Sequence, residues 1–313
     1  MIARRLLWTI PILFGTAVIV FLILRLVPGD PAAAILGADA TTAQVRQVRI
    51  ELGLNKPIYM QFVSWLGGVL HGSFGQDYVN DQSITSEIGS RLPVTLELAC
   101  FAFVLAAVVA IPAGVLAAAW RDSWLDRCVK AVSVLGIAVP DFVFGILAIL
   151  LFALTLGVVP SSGFVPLSAS LGGNLRSLIL PGAALAAGLA GVLTRVTRAA
   201  MLDILEADYI RLARANGMTP GSIVFRYALR NAAIPIVTVA GMQAGYLLGG
   251  TVVVEQLFAI PGIGQLIVQA MLNRDYPVVQ ACVLIFVVAF ILVNLVSDVA
   301  YTLLNPRLRG ASV

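Results

Sequence analysis

Leu98–Trp120 reads LACFAFVLAAVVAIPAGVLAAAW, with no charged residue between Glu97 and Arg121. A helix needs roughly 20 mostly apolar residues to cross the hydrocarbon core of a bilayer, and this run is long enough. Working outward, five further runs behave alike. The first is Leu6–Leu24. The third begins after Lys130 and continues past Val158, interrupted only by Asp141. The fourth lies between Arg176 and Arg195, the fifth runs from about Asn231 to Val254, and the sixth from about Tyr276 to Ser297, with Asp298 at its end. Composition agrees: of 313 residues 60% are hydrophobic and 12% charged, about half the charge of an ordinary soluble domain. One or two soluble cores cannot hold that much apolar surface. The reading is an all-α integral membrane protein with six transmembrane helices.

Two rival segments fail on physical grounds. Arg4 and Arg5 before an apolar run resemble a signal peptide, but the run exceeds the roughly 7–15 residues of a signal core. The charge-free stretch between Glu255 and Arg274 contains Pro261, Gly262, Gly264, Gln265 and Gln269, a turn and a short amphipathic helix rather than a span. Basic residues set the orientation. With both termini cytoplasmic, the inner segments carry Arg4, Arg5, Arg121, Arg127, Lys130, Arg195, Arg198, Arg211, Arg214, Arg226, Arg230, Arg307 and Arg309, whereas the short outer loops carry only Arg176 and Arg274. That is the positive-inside pattern. The net charge of +4 is therefore a topology signal and not a nucleic-acid footprint.

The chain divides into an N-terminal transmembrane helix (1–27), an external segment (28–91), a five-helix core (92–304) with a cytoplasmic loop at 203–231, and a cytoplasmic tail (305–313). In the external segment Val45, Val48 and Leu52 fall at helical spacing before Gly53, a plausible stop. The cytoplasmic loop reads DILEADYIRLARANGMTPGSIVFRYALRN. Tyr209, Leu212, Ala213 and Asn216 share one helical face, with Arg211 and Arg214 pointing elsewhere. Gly217 suits a left-handed helix end, and Thr219–Pro220 supply a cap and first-turn proline for the next helix. A short helix is thus bracketed by two stops. Span five carries Gly241, Gly245 and Gly249 at four-residue intervals, a stripe for close helix packing within the chain or against a second subunit. Gln243 and Tyr246 beside it are candidates for a polar path.

Several chemistries are missing. Neither Lys56 nor Lys130 follows glycine, so no phosphate-binding P-loop is present. His71 is the sole histidine and lies in the external segment, and no G-x-S-x-G occurs. Cys100, Cys128 and Cys282 are scattered, without zinc or disulfide spacing. No catalytic, cofactor-binding or metal residue is assigned. Arg25 and Asp141 are the only charges within the spans, few for a self-sufficient secondary transporter. A membrane enzyme lacks its nucleophile–base pair.

Ordered strings along the whole chain then carry a resemblance. They are Arg25-Leu-Val-Pro-Gly-Asp-Pro31, Leu52-Gly-Leu-Asn-Lys-Pro-Ile-Tyr59, His71-Gly-Ser-Phe-Gly75, Leu92-Pro-Val-Thr-Leu-Glu-Leu98 and Gly249-Gly-Thr-Val-Val-Val-Glu255, followed by Phe258-Ala-Ile-Pro-Gly-Ile-Gly264, Asn273-Arg-Asp-Tyr-Pro277 and Asn305-Pro-Arg-Leu-Arg309. Together they resemble the first permease subunit of bacterial ABC importers for dipeptides, oligopeptides, glutathione and nickel. The resemblance implies a type I importer fold in the inner membrane, and a coupling helix around Tyr209, Arg211, Leu212, Ala213, Arg214 and Gly217. The family's general Glu-Ala-Ala…Gly…Ile-x-Leu-Pro pattern is kept at Ala213, Gly217 and Leu229. It is replaced at Arg211, Leu212, Tyr227 and Arg230, as in the peptide branch. Implied partners are a homologous second permease, two ATPases that bind ATP and Mg, an external substrate-binding protein, and membrane lipid. For cargo, a pore that held nickel directly would favour imidazole or thiolate ligands from several helices. Gln243 and Tyr246 instead suit neutral hydrogen bonds to peptide amides, so a short peptide is the expected cargo, with nickel or a nickel chelate the alternative.

Overall fold

The computed structural model describes residues 2–26, 30–36 and 40–304. The tail 305–313, with Arg307 and Arg309, and the Val27–Gly29 part of the first string lie outside the described residues. Among the described residues twelve α-helices follow in chain order: α1 (Ile2–Leu26), α2 (Pro31–Leu36), α3 (Thr42–Glu51), α4 (Ile58–Leu70), α5 (Ile84–Ala119), α6 (Trp124–Ala138), α7 (Asp141–Ala148), α8 (Leu171–Leu205), α9 (Asp208–Ala215), α10 (Leu229–Phe258), α11 (Ile263–Leu272) and α12 (Tyr276–Leu304). π-helical stretches at Ile149–Thr155 and Ser222–Ala228 extend α7 and precede α10. Among the described residues, an isolated bridge between Gln76 and Ser83 is the only sheet-like pairing.

Four described helices are long and apolar enough to cross a membrane: α5, α8, Ser222–Phe258 and Tyr276–Ser297 within α12. The expected third span is not straight. Its halves, Trp124–Ala138 and Asp141–Thr155, meet at 107°; counted together as one broken span they bring the described crossings to five. Pro140 explains the corner, because it cannot donate to the Gly136 carbonyl and drives Val139 into extended backbone (φ −88°, ψ 122°). The stretch between Glu255 and Arg274 forms the short α11, too short to span.

The chain forms two compact units, Met1–Thr95 with Pro261–Ile291, and Leu96–Ile260 with Leu292–Val313. In the first unit α3 starts at a capping box: Thr41 Oγ1 accepts from Gln44 N–H, and Gln44 Oε1 accepts from Thr41 N–H at 2.9 Å. It ends at Gly53 with φ 66°. Phe21 of α1 meets Phe62 of α4 edge to face, ring centroids 5.3 Å apart, the preferred aromatic geometry. Buried Thr95 Oγ1 accepts the Ile263 N–H at 2.8 Å, capping the start of α11.

Two buried acids join this unit's distant parts. Asp275 Oδ2 accepts the Tyr78 N–H at 2.9 Å, and the Asp275 and Asp77 carboxyls share a hydrogen bond. Burial, then the bond to Asp77 and its charge, raise the Asp275 pKa to about 7. Burial alone would also raise Asp77, but the bonds from Asp275, Val79 and Asn80 outweigh it and hold Asp77 below the usual carboxylate range. Asp275 therefore donates its proton to Asp77. A raised folded-state pKa gives stability that is complete below the unfolded value near 3.8 and is lost as pH climbs through about 7. The thermal midpoint of the wild-type subunit should fall as pH rises from near 3.8 to about 7 and level off above it. Asp275→Asn, whose amide still donates, should flatten that decline; an unchanged slope in the variant would show that the pair does not share a proton.

In the second unit α8 is the axis against which α6, α7 and α10 pack. Glycines make the α6–α8 contact close. A Cβ on Gly191 would sit 2.5 Å from the Ser133 carbonyl oxygen, and one on Gly136 would sit 2.7 Å from that of Ala187. Backbone therefore meets backbone along this seam.

Candidate functional site

The loop between α8 and α10 folds as α9 between two defined ends. α9 closes with a paired-bond cap: Gly217 N–H donates to the Arg214 carbonyl at 3.0 Å and Met218 N–H to the Ala213 carbonyl at 3.2 Å. Gly217 has φ 78°. This is the Schellman arrangement, which places a left-handed residue after the helix. Thr219 then begins the next helix, its Oγ1 accepting from Ser222 N–H at 3.4 Å and its carbonyl from Ile223 N–H at 3.1 Å, with Pro220 in the first turn.

One side chain anchors α9. Ile210 is 0% exposed and joins a cluster with Val115 and Ala118 of α5, Ala200, Met201 and Leu205 of α8, Ile223 and Ala228 of the π-helical stretch, and Ala232 and Ile236 of α10. Periodicity singled out Tyr209, Leu212, Ala213 and Asn216 instead. Of these Ala213 is half-buried, while Tyr209, Leu212 and Asn216 are exposed beside Arg211 and Arg214. The helix therefore turns Ile210 inward and presents Tyr209 and Leu212 flanked by two cations. Ile210 carried a signal, an isoleucine in an otherwise polar turn, but one residue cannot establish a face.

Charges brace the helices around the loop. Asp126, fully buried, accepts from Arg198 Nε at 2.6 Å and Nη2 at 2.8 Å, and lies 3.1 Å from Lys130 Nζ. The Asp122 N–H adds a fourth contact at 3.0 Å. Arg121 pairs with Glu206, the residue that ends α8 just before α9.

The span-five candidates separate. Gly241 is buried against Ser297 of α12, where an added Cβ would come within 2.4 Å. Gly245 is also buried, Gln243 is partly buried, and Gly249 is exposed with nothing near its missing Cβ. Tyr246 is 70% exposed in a stripe with Met242 and Val253. The first two glycines thus pack inside the chain, while Tyr246 and Gly249 lie on an open face of α10. Among the described residues no group of His, Cys, Asp or Glu could hold a metal ion.

The described residues thus hold several helices long and apolar enough to cross a membrane, with the short amphipathic α9 between α8 and α10. Residues 110–310 match the family described as binding-protein-dependent transport system inner membrane component, and residues 1–99 match its N-terminal counterpart. A protein of Brucella abortus (strain 2308) named as a peptide transport system permease is 43% identical over 309 residues, 99% of this chain and 98% of its own. The glutathione transport system permease protein GsiC of Escherichia coli (strain K12) is 42% identical over 308 residues, 98% of each chain. The inward-facing MetNI methionine ABC transporter superposes with a TM-score of 0.59 at 21% identity, covering 70% of this chain and 96% of the matched one. The chain belongs to the family of binding-protein-dependent transport system inner membrane components. It is a multi-pass permease subunit of an ABC importer of the peptide family, with a type I permease fold, and ATP hydrolysis resides on separate subunits.

Proposed function

We propose that this subunit forms half of the pore of an ATP-driven importer of short peptides, fed by an external binding protein and completed by a homologous second permease. The relatives named for peptide and glutathione transport, aligned over nearly the whole chain, carry the cargo assignment. α1 supplies the sixth crossing, both termini are cytoplasmic, and residues 28–91 lie outside, as the arginine distribution requires. α9 is the coupling helix. Tyr209, Leu212, Arg211 and Arg214 form the face on which an ATPase docks, and Ile210 transmits its displacement to α5, α8 and α10. Gly249 and Tyr246 face the second permease or the pore.

One strain tests these assignments. With the chromosomal gene deleted, growth on dipeptides as sole amino-acid source should fail and cellular nickel should stay unchanged. Cysteines placed at Met60 and Asp203 in the complementing, otherwise cysteine-free protein should label oppositely with an impermeant thiol reagent. Unimpaired peptide use with lost nickel uptake would replace the cargo assignment by nickel, and equal labelling would refute the orientation.

A further inference from the structure

The corner in the third crossing holds a carboxylate with no visible task. With Lys130 at the cytoplasmic surface, as proposed above, about 12 Å of helix at 1.5 Å per residue separates it from the corner, which sets Val139–Pro140 within the hydrocarbon layer. Broken backbone at that depth is tolerated only where it is covered by protein or lines a water-filled cavity. The break frees the Gly136 carbonyl, because Pro140 has no N–H to give it. Asp141 follows immediately. Its half-buried carboxylate rests against two residues without side chains: a Cβ on Gly188 of α8 would lie 3.4 Å from Oδ1, and one on Gly250 of α10 would lie 3.4 Å from Oδ2. Among the described residues Asp141 makes no side-chain hydrogen bond or ion pair.

An intramembrane charge faces a protein partner or a wet path, and it marks function by default. The bland explanation is that Asp141 merely complements the N-terminus of α7. A helix terminus offsets only a fraction of the cost of such a charge, and Asp141 does not donate or accept in any cap. The carboxylate and the freed carbonyl put negative potential at one point; the ends of α6 and α7 that meet there carry opposite partial charges and largely offset each other. Its chemical complement is a cation bearing several N–H donors. The glycines on α8 and α10 let the carboxylate itself lie close against both helices, and among the described residues it has no fixed counter-ion, which suits a contact that must form and release.

We propose that this corner lies on the translocation path and that Asp141 is a specificity-determining residue that receives the amino-terminal ammonium of the passing peptide. This rests on the peptide assignment above. The test uses the complete transporter in proteoliposomes, with binding protein loaded to equal occupancy with a dipeptide or with its analogue in which hydroxyl replaces the amino group. Wild type should take up the dipeptide roughly tenfold faster than the analogue. Asp141→Asn should bring the two rates together while loaded binding protein still stimulates ATP hydrolysis, and Asp141→Glu should restore the preference. A preserved preference in Asp141→Asn overturns the proposal, as does loss of the second permease from purified Asp141→Asn complexes, which would make Asp141 a subunit contact. Failure of wild type to move either compound would refute the peptide assignment itself, and the proposal with it.

Discussion

Arg198→Ala is expected to destabilise the subunit by about 3 kcal/mol or more, and adding Asp126→Ala to return most of that loss. Asp126 has no exposed surface, and its two shortest contacts are to Arg198. Truncating the arginine leaves a buried carboxylate with Lys130 as its one remaining cation, 46% exposed and at 3.1 Å. The cost of such a change lies mainly in the charge left unpaired, which is why removing both partners is milder than removing one. Thermal midpoints of the purified subunit should fall by several degrees in the single variant and recover in the double. Equal falls in both would mean that Arg198 acts through packing of its aliphatic stem alone.

Gly217→Val should abolish coupled uptake while leaving the subunit in the membrane. At φ 78° a β-branched residue is strained by roughly 1–2 kcal/mol, and relaxing that strain breaks both bonds that close α9. No atom lies within 4 Å of the missing Cβ, so the effect belongs to backbone conformation and not to crowding. Gly217→Asn is the control, since asparagine tolerates the left-handed region. Arg214→Glu tests the docking face separately, by reversing an exposed charge. Uptake should drop at least tenfold in Gly217→Val and Arg214→Glu, with less ATPase co-purifying, and stay near wild type in Gly217→Asn. Normal uptake in Gly217→Val and Arg214→Glu would reduce the loop to a connector.

What the sequence made legible was local. Gly217 and Thr219–Pro220 announce helix ends through the conformations open to single residues, and the structure has those ends. The apolar runs announce helices because hydropathy integrates over twenty residues, but it records no direction, so the run around Asp141 counts as one span and the corner at Pro140 goes unmarked. The anchor of α9 escaped for a related reason: periodicity weighs how many residues share a side, whereas burial is decided by the single isoleucine that fits among α5, α8 and α10. Asp77 and Asp275 meet across 197 positions of sequence between Tyr78 and its acceptor, beyond any spacing rule. Span five drew attention because its three glycines lie in one segment, while Gly136 and Gly191, which let α6 and α8 touch, lie in two.

That glycine seam also limits how the subunit can move. Advancing α6 along α8 by one residue would place Leu135 or Ile137 where only a glycine clears the Ala187 carbonyl. The two helices are keyed together like a shaft and hub, free to travel as a pair but not to slip. A displacement of α8 would therefore carry α6 with it, as far as the corner at Val139–Pro140, where the helix is broken.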